Sequence, residues 1–582
     1  IFMKQLKQFF FTEKRLFLGT FLFMLIHSFG TLFLPYFVAK IIDDGILKQD
    51  QSAIIRYGGW MLAVALGTGV IAVSASYFSA HLAGKFGHHL RIKLFNKIQE
   101  LAISSFEKYG TPTLLARTTN DINNIQQILM MALQMILPAP LIILASIILT
   151  GSVSWRMVWI PIAAIACFSI VALFVIYQAI PLAKKTQKKV DTMMRILRET
   201  YTGVRVIRAF DKASFEKKRT DQTFEGYAKV MIQVNRLFAV LNPAVHFFMG
   251  LSILSILGFG GFQSLSGNLP IGSITAIIEY TVLSLWFLTM AAMVIVMIPK
   301  GLTSLQRIEE VLSEEETMTD GPQPILPKES SLVAAFHHVS FTYAGAEEPV
   351  LEDIDFEIHR GQTTAIVGGT GSGKSTIAKA LLRLKDVSNG SITLYDRDIR
   401  EVSQVALRSF ISYVPQKALL ISGSIWDTLT FGIVNPDPQQ VAQAVKIAQA
   451  ESFIESLPDG IDSHVAQKGS NFSGGQKQRL SIARALVKPA HIYFFDDSFS
   501  ALDYQTDANL RRALKSYVRD SAVVIVAQRV ATVMDADQII VLDEGKIVGK
   551  GTHSELMETC STYQEFAASQ GIGGEKNEQK NN

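Results

Sequence analysis

The sequence has few cysteines and no lysine/arginine block of the kind that binds nucleic acid. Its two cysteines, Cys167 and Cys560, lie in an apolar run and in a mixed polar segment, so we predict no disulfide between them. Two isolated cysteines also cannot build a zinc site of the usual kind. Lys and Arg together number 55 against 51 acidic residues, without a block of the kind that binds nucleic acid, so no nucleic-acid partner is predicted.

Charge is also scarce for a chain of this size. Only 18% of the 582 residues are charged, 49% are hydrophobic, and the mean hydropathy is +0.26. Nearly all long apolar runs precede Lys300, whereas the later part alternates apolar and polar residues as a soluble α/β domain does. The composition therefore indicates a bilayer-embedded part followed by a soluble part, in a chain too long for one core.

Six apolar segments approach or exceed the length of about 20 residues that crosses a bilayer. The alternative, buried helices of a large soluble protein, is disfavoured because such helices seldom run so long without charge. An even number of spans places both chain ends on one side. The predicted spans are Leu16 to Ala39, Tyr57 to Ala83, Leu129 to Ser154, Met157 to Ile180, Leu237 to Phe262 and Ile271 to Ile298.

Two connections between these spans are long and polar, Gly84 to Ile128 and Pro181 to Arg236. The second is rich in lysine and arginine between Lys184 and Arg219, so the positive-inside rule predicts that both are cytoplasmic. Both are long enough to extend the membrane helices into the cytosol. We therefore predict a multi-pass protein of the plasma membrane with both termini and the later domain in the cytoplasm.

The chain divides into four predicted segments. Residues 1–312 form the transmembrane domain, and the acidic, proline-rich residues 313–330 form a linker. Residues 331–570 form an α/β domain, and the polar residues 571–582 are predicted to be a disordered tail.

A phosphate-binding loop follows the apolar strand TTAIV in this later domain. The sequence GGTGSGKST, from Gly368 to Thr376, has the Walker A spacing. Its glycines let backbone N–H groups surround phosphates, its lysine adds a positive charge, and the following helix presents its positive dipole end. We predict ATP binding by Gly368, Gly371, Ser372, Gly373, Lys374, Ser375 and Thr376, with the Ser375 hydroxyl on Mg²⁺.

A second strand of the domain, HIYFFDD, ends in Asp496 and Asp497, as a Walker B strand does. A carboxylate at this point can hold Mg²⁺ through its water shell. A buried strand with a polar end would be unremarkable by itself. The phosphate loop earlier in the same domain favours the functional interpretation.

A third motif is much more specific than these two, which occur in many ATPases. The sequence NFSGGQKQ, from Asn471 to Gln478, resembles the signature of ATP-binding cassette (ABC) transporters. With six spans before it, the whole chain resembles a half-transporter of the type IV ABC exporters. The resemblance implies a six-span α-helical transmembrane domain joined to an α/β P-loop cassette, and ATP with Mg²⁺ as its ligands.

The resemblance also implies roles for further positions. Tyr343 corresponds to the aromatic residue that stacks on adenine, Gln416 to the Q-loop glutamine at Mg²⁺, and 500–503 (SALD) to the D-loop. Cassettes of this family pair head to tail, so Ser473, Gly474, Gly475 and Gln476 would serve the nucleotide held by the partner's Walker A loop. The segments Ser105 to Arg117 and Thr202 to Phe210 would be coupling helices.

The sequence departs from the family at three positions. Asp497 stands where a glutamate normally positions the attacking water, Gln528 replaces the switch histidine, and Gln467 replaces the X-loop glutamate. Glutamine cannot carry a positive charge to offset the developing negative charge. The weakened catalytic pair Asp497 and Gln528 predicts a degenerate site. The chain thus resembles the degenerate member of a heterodimeric bacterial multidrug exporter, with hydrolysis mainly at the partner's site.

Several functional alternatives remain open at this point. The chain could form a homodimeric exporter with two slow sites, or an ATP-gated channel or regulatory subunit. Cargo is weakly encoded: Phe and Met in the spans suit hydrophobic or amphipathic compounds, although most such residues pack on neighbours or face lipid. Glu279, an ionisable residue inside the sixth span, would attract cations or lie near the outer water interface.

Overall fold

The computed structural model describes residue 9 and residues 11–572, apart from 316, 317, 319, 323, 325–329 and 344. Two compact units divide the chain. The first comprises the residues before 316, except the three at 102–104, and the second contains the residues from 316 onward. The part of the predicted tail at 573–582 and half of the predicted linker, at 316, 317, 319, 323 and 325–329, lie outside the described residues.

The first unit is entirely helical in its ordered elements. Six of its helices are long and apolar enough to cross a membrane by length and composition. In chain order its helices are α1 (Lys14–Ile46), α2 (Gln51–Glu100), α3 (Ile103–Tyr109), α4 (Thr111–Val153), α5 (Trp159–Thr202), α6 (Val204–Ala209), α7 (Ala213–Leu265) and α8 (Ile271–Leu312).

These helices contain the six predicted spans, except for Ser154, Met157 and Val158 at two span ends, and they continue beyond most of the spans. α2 and α4 extend through most of the first long polar connection, and α5 and α7 through the second. The first predicted coupling segment, Ser105 to Arg117, is divided by the structure: α3 ends at Tyr109, and Pro112 in the first turn of α4 starts a new helix. The second contains only the short α6.

The second unit is an α/β domain with two main sheets. Its strands are β1 (Leu332–Phe341), β2 (Leu351–His359), β3 (Thr363–Gly368), β4 (Asn389–Leu394), β5 (Arg397–Asp398), β6 (Ile411–Val414), β7 (Gly423–Ser424), β8 (His464–Val465), β9 (Ile492–Asp496), β10 (Ala522–Ala527), β11 (Gln538–Asp543) and β12 (Lys546–Gly551). Its helices are α9 (Lys374–Leu381), α10 (Gln404–Ser409), α11 (Ile425–Leu429), α12 (Pro438–Ile447), α13 (Glu451–Glu455), α14 (Gly474–Val487), α15 (Tyr504–Tyr517), α16 (Val530–Val533), α17 (His553–Thr559) and α18 (Ser561–Ser569).

The larger sheet has the order β12-β11-β3-β10-β9-β6, parallel except for the antiparallel edge strand β12. Its central strands are continuous apolar runs because both faces are covered. Strands β9 and β10 are buried along their whole length. The smaller sheet, β2-β1-β4-β5, is antiparallel, and the rings of Phe336 and Phe356 stack across its β1–β2 pair with centroids 4.5 Å apart.

The predicted fold class is therefore confirmed: a six-span helical domain precedes an α/β cassette. Both cysteines are free; Cys167 is exposed and Cys560 is buried.

Candidate functional site

The site lies where four neighbouring parallel strands end. β3 leads into the phosphate loop, β6 into Gln416, β9 into Asp496 and Asp497, and β10 into Gln528. In register, Val367 pairs with Ala527, and Val526 pairs with Asp496. Because the carboxyl ends of parallel strands meet at one edge of a sheet, residues distant in the chain converge there.

The phosphate loop turns sharply between β3 and α9. Gly368 ends β3, the loop runs through Gly371 and Ser372, and α9 begins at Lys374, followed by Ser375 and Thr376. Gly373 has a φ of +96°, and a Cβ there would lie 2.6 Å from the Leu351 side chain. Only glycine fits this turn, which leaves the N-terminus of α9 open toward a phosphate.

Lys374 is 8% exposed and folds back over the loop. Its ammonium donates hydrogen bonds to the carbonyl oxygens of Gly368 (2.8 Å) and Gly369 (2.5 Å). Burial lowers the pKa of this lysine, while the charges of Asp497 and Asp496 oppose that shift. The positive charge is thus held against the loop, where the phosphates of a nucleotide would lie.

Asp496 is the most deeply buried carboxylate of the site. It is 2% exposed, and it accepts hydrogen bonds from the hydroxyls of Ser375 (3.0 Å) and Tyr413 (3.2 Å). Burial raises the pKa of Asp496, and these two hydrogen bonds partly offset the shift. A cation would therefore stabilise the ionised carboxylate.

These residues fit Mg²⁺. Its usual protein ligands are one or two carboxylates together with substrate phosphates and water. The Ser375 hydroxyl and the Asp496 carboxylate supply such oxygen atoms side by side. Across the described chain, no group of three or more His, Cys, Asp or Glu side chains is placed to hold a metal by itself, so a nucleotide would have to complete the site.

Asp497 accepts two side-chain hydrogen bonds at the same oxygen, Oδ2. Gln416 donates one over 3.2 Å and Gln528 the other over 3.1 Å. The backbone of Asp497 has a φ of +48°, which is unusual for a residue other than glycine and occurs often at functional sites. The Ser500 hydroxyl donates to the Asp497 carbonyl oxygen over 2.9 Å, so the D-loop holds this backbone.

Tyr343 follows β1 and is half-buried. Its ring contacts Phe341 edge to face, with centroids 4.9 Å apart. The ammonium of Lys385 lies 4.6 Å from the ring centroid. One face of the Tyr343 ring therefore makes a cation–π contact with Lys385.

The signature residues cap α14. Ser473 accepts the Gln476 backbone N–H, and the Gln476 side chain accepts the N–H of Ser473, a reciprocal capping box. Ser473 and Gly474 are exposed, whereas Gly475 and Gln476 are partly buried. The start of α14 is thus a rigid helix N-terminus that faces solvent.

Sequence reasoning missed two residues of the site. Tyr413 precedes Gln416 by three positions, and nothing in the YVPQ pattern reveals its hydrogen bond to Asp496. Lys385 lies 42 residues after Tyr343, and its contact with the ring depends on the fold. Side chains alternate between the two faces of a sheet, and β6 and β9 are adjacent parallel strands. The alternation in β6 could therefore have shown which face of the sheet Tyr413 shares with side chains of β9.

Comparison with known proteins gives matches over nearly the whole chain. The family described as "ABC transporter transmembrane region" matches residues 16–290, and the family described as "ABC transporter" matches residues 351–500. An uncharacterized ABC transporter ATP-binding protein of Mycobacterium tuberculosis is 35% identical over 94% of both chains. A probable multidrug resistance ABC transporter ATP-binding/permease protein of Bacillus subtilis is 32% identical, covering 83% of this chain and 84% of that protein. The solved structure of a bacterial Atm1-family ABC exporter with ATP bound superposes with a TM-score of 0.82 at 25% identity, covering 96% of this chain and 99% of that one.

Proposed function

The chain belongs to the ABC transporter family, and on that premise we propose that it exports hydrophobic or amphipathic compounds as one half of a heterodimer. A membrane-embedded helical domain and an ATP-binding cassette in one chain are the parts of an ATPase coupled to transport. The multidrug description of the Bacillus subtilis relative supports this type of cargo. We further propose that both termini and the cassette are cytoplasmic, as the lysines and arginines of the second long connection favour.

In the proposed site, this chain binds ATP through the loop from Gly368 to Thr376. The ammonium of Lys374 exchanges its carbonyl partners for phosphate oxygens, and the N–H groups at the start of α9 bind the same phosphates. Tyr343 packs against the adenine with the face that Lys385 leaves open. Mg²⁺, held by Ser375, Asp496 and Gln416, would neutralise phosphate charge when bound.

The pair formed by Asp497 and Gln528 carries the proposal of a degenerate site. A hydrolytic site needs a carboxylate that accepts a hydrogen bond from water and a group that stabilises charge on the γ-phosphate. Asp497 is one methylene shorter than glutamate, and its Oδ2 is engaged by Gln416 and Gln528. Gln528 directs its amide to Asp497 and has no charge to offer. We therefore expect tight ATP binding and slow hydrolysis at this site.

The exposed signature supports pairing with a second cassette. Ser473 and Gly474 are available at the start of α14, so they can bind a nucleotide held by the Walker A loop of another cassette. A partner with a catalytic glutamate and a switch histidine would then have one competent site. Its hydrolysis would drive both halves.

Purification from the native source under non-denaturing conditions tests the assembly. We expect this chain to purify with an equal amount of a second half-transporter. We also expect ATP-dependent uptake of a hydrophobic dye into inside-out vesicles only when both chains are present. A preparation of this chain alone with full turnover would establish the homodimeric exporter instead. Flow of cargo only down its gradient would identify an ATP-gated channel or regulatory subunit.

A further inference from the structure

A cavity of about 410 Å³ lies within the helical unit, between α4, α5, α7 and α8. Its size falls in the range of sites that bind small molecules, about 300 to 1,000 Å³. The lining includes Lys184 on α5 and Lys300 on α8, at the end of the spans that the basic connection predicts to be cytoplasmic. It is far from Glu279: the 21 residues from Glu279 to Lys300 correspond to about 31 Å of helix.

One side of the cavity is apolar. Met231, Val234 and Phe238 line it from α7, and Val296 and Met297 line it from α8. Met231 and Met297 are exposed, so their flexible thioether side chains can adapt to an alkyl or aryl group. This side suits the apolar part of an amphiphile.

The other side carries an excess of positive charge. The lining contains Lys184, Lys300 and Arg307 but one acidic residue, Asp121, and outside the lining Arg307 also lies 4.0 Å from Asp191 on α5. Asp121 is 6% exposed and already paired: it accepts a hydrogen bond from the Ser304 hydroxyl over 2.7 Å and lies 3.9 Å from Arg307. The ammonium groups of Lys184 and Lys300, both exposed, form no hydrogen bond or ion pair with any residue that the structure describes.

We propose that this cavity binds an anionic amphiphile, with its carboxylate, sulfate or phosphate group between Lys184 and Lys300 and its apolar part against α7 and α8. An anion there gains charge-assisted hydrogen bonds from the two ammonium groups. The inference rests on the proposed export function, because it assigns the chemical class of the cargo to this wall of the transport path. It differs from the cationic cargo that Glu279 suggests.

The test uses two matched fluorescent probes, 11-(dansylamino)undecanoate and its methyl ester. They share a tail and differ by one negative charge. Binding is measured by dansyl fluorescence on the purified full transporter in nanodiscs of zwitterionic lipid, without nucleotide. We expect the carboxylate to bind at least about tenfold more tightly than the ester, since a charge-assisted hydrogen bond contributes about one decade of affinity or more.

Three variants sharpen the test. K184Q together with K300Q should weaken carboxylate binding about tenfold to a hundredfold and leave ester binding unchanged. K185Q, which removes the neighbouring exposed lysine outside the cavity lining, should change neither. M231Q, at an exposed position of the apolar side, should weaken both probes equally.

Equal binding of carboxylate and ester, or an equal effect of K185Q and the double variant, would overturn the assignment. Transport is measured separately, as ATP-driven uptake into proteoliposomes. Uptake of other compounds without selective carboxylate binding would overturn the cavity proposal and leave the export function standing. Selective binding without ATP-driven uptake of any compound would overturn the export function itself.

Discussion

The side-chain amide of Gln528 donates a hydrogen bond to Oδ2 of Asp497 over 3.1 Å. Two of the three positions where this sequence departs from the family pattern are thus in direct contact. Gln416 donates to the same oxygen over 3.2 Å, so two amides hold the carboxylate that would have to position water. The proposed degenerate character would therefore be a property of a connected group of side chains.

The first prediction concerns removal of the Asp497 charge. D497N should change the ATPase rate of the assembled transporter by less than about twofold, because this carboxylate contributes little to turnover. Loss of a working catalytic base typically costs about 10²- to 10⁴-fold. Steady-state ATPase assays of the assembled pair measure the difference. The matched control is the same carboxylate-to-amide change at the partner's glutamate, which should abolish turnover.

The second prediction separates the two nucleotides. S473R should block the signature through bulk at the start of α14 while leaving the Walker A loop of this chain intact. Photolabelling of this chain with an azido-ATP should persist, and ATPase of the pair should fall to background. K374A should instead abolish the labelling of this chain, because it removes the ammonium that binds the phosphates. Loss of labelling in S473R would contradict the head-to-tail arrangement.

The third prediction follows from the hydroxyl of Tyr413. Y413F removes one hydrogen bond from the buried Asp496 and should raise the pKa of that carboxyl further. A hydrogen bond to a charged carboxylate contributes about 1.5–3 kcal/mol, so the Mg²⁺ concentration needed for half-maximal ATP binding should rise about tenfold or more. Mg²⁺ titrations of nucleotide binding measure it. An unchanged Mg²⁺ requirement would show that Tyr413 does not support this carboxylate.

The fourth prediction concerns the contact between α1 and α8. The Asp43 carboxylate accepts the backbone N–H of Gly272 over 2.6 Å, at the first turn of α8. A Cβ on Gly272 would lie 2.2 Å from the Ala39 carbonyl oxygen, so G272A must separate the two helices. We expect a loss of about 1–3 kcal/mol, seen as a lower melting temperature of the purified protein.

The control for this change is G258A in α7, where a Cβ would meet no atom within 4 Å. It should leave the melting temperature unchanged or raise it slightly, because alanine favours helix. Equal melting temperatures of G272A and G258A would show that the close approach at Gly272 does not stabilise the protein.

Much of the architecture follows from local sequence signals. Uninterrupted apolar length predicts the six membrane helices, and a strand before GGTGSGKST together with a helix after it predicts the central strand β3. The order of the motifs along the chain implies that they meet at one edge of the parallel sheet. The structure brings Ser375, Gln416, Asp496, Asp497 and Gln528 together there.

Other features depend on contacts that no local pattern encodes. Asp43 and Gly272 form a hydrogen bond although 229 positions separate them in the sequence. Tyr413 and Asp496 form one across a separation of 83 positions. The cavity between α4, α5, α7 and α8 arises from helix packing, and its excess of positive charge depends on which lysines remain unpaired. These contacts are specified by the tertiary fold.

The central claim is that the site at Lys374 binds ATP but hydrolyses it slowly because of Asp497 and Gln528. The most direct measurement is single-turnover hydrolysis of Mg²⁺-ATP by the assembled pair whose partner glutamate is changed to glutamine, compared between the wild-type and D497E/Q528H forms of this chain. We predict similar ATP affinity for both proteins and hydrolysis about 10²-fold or more faster in the variant. Wild-type protein that hydrolyses its bound ATP as fast as the variant would contradict the account.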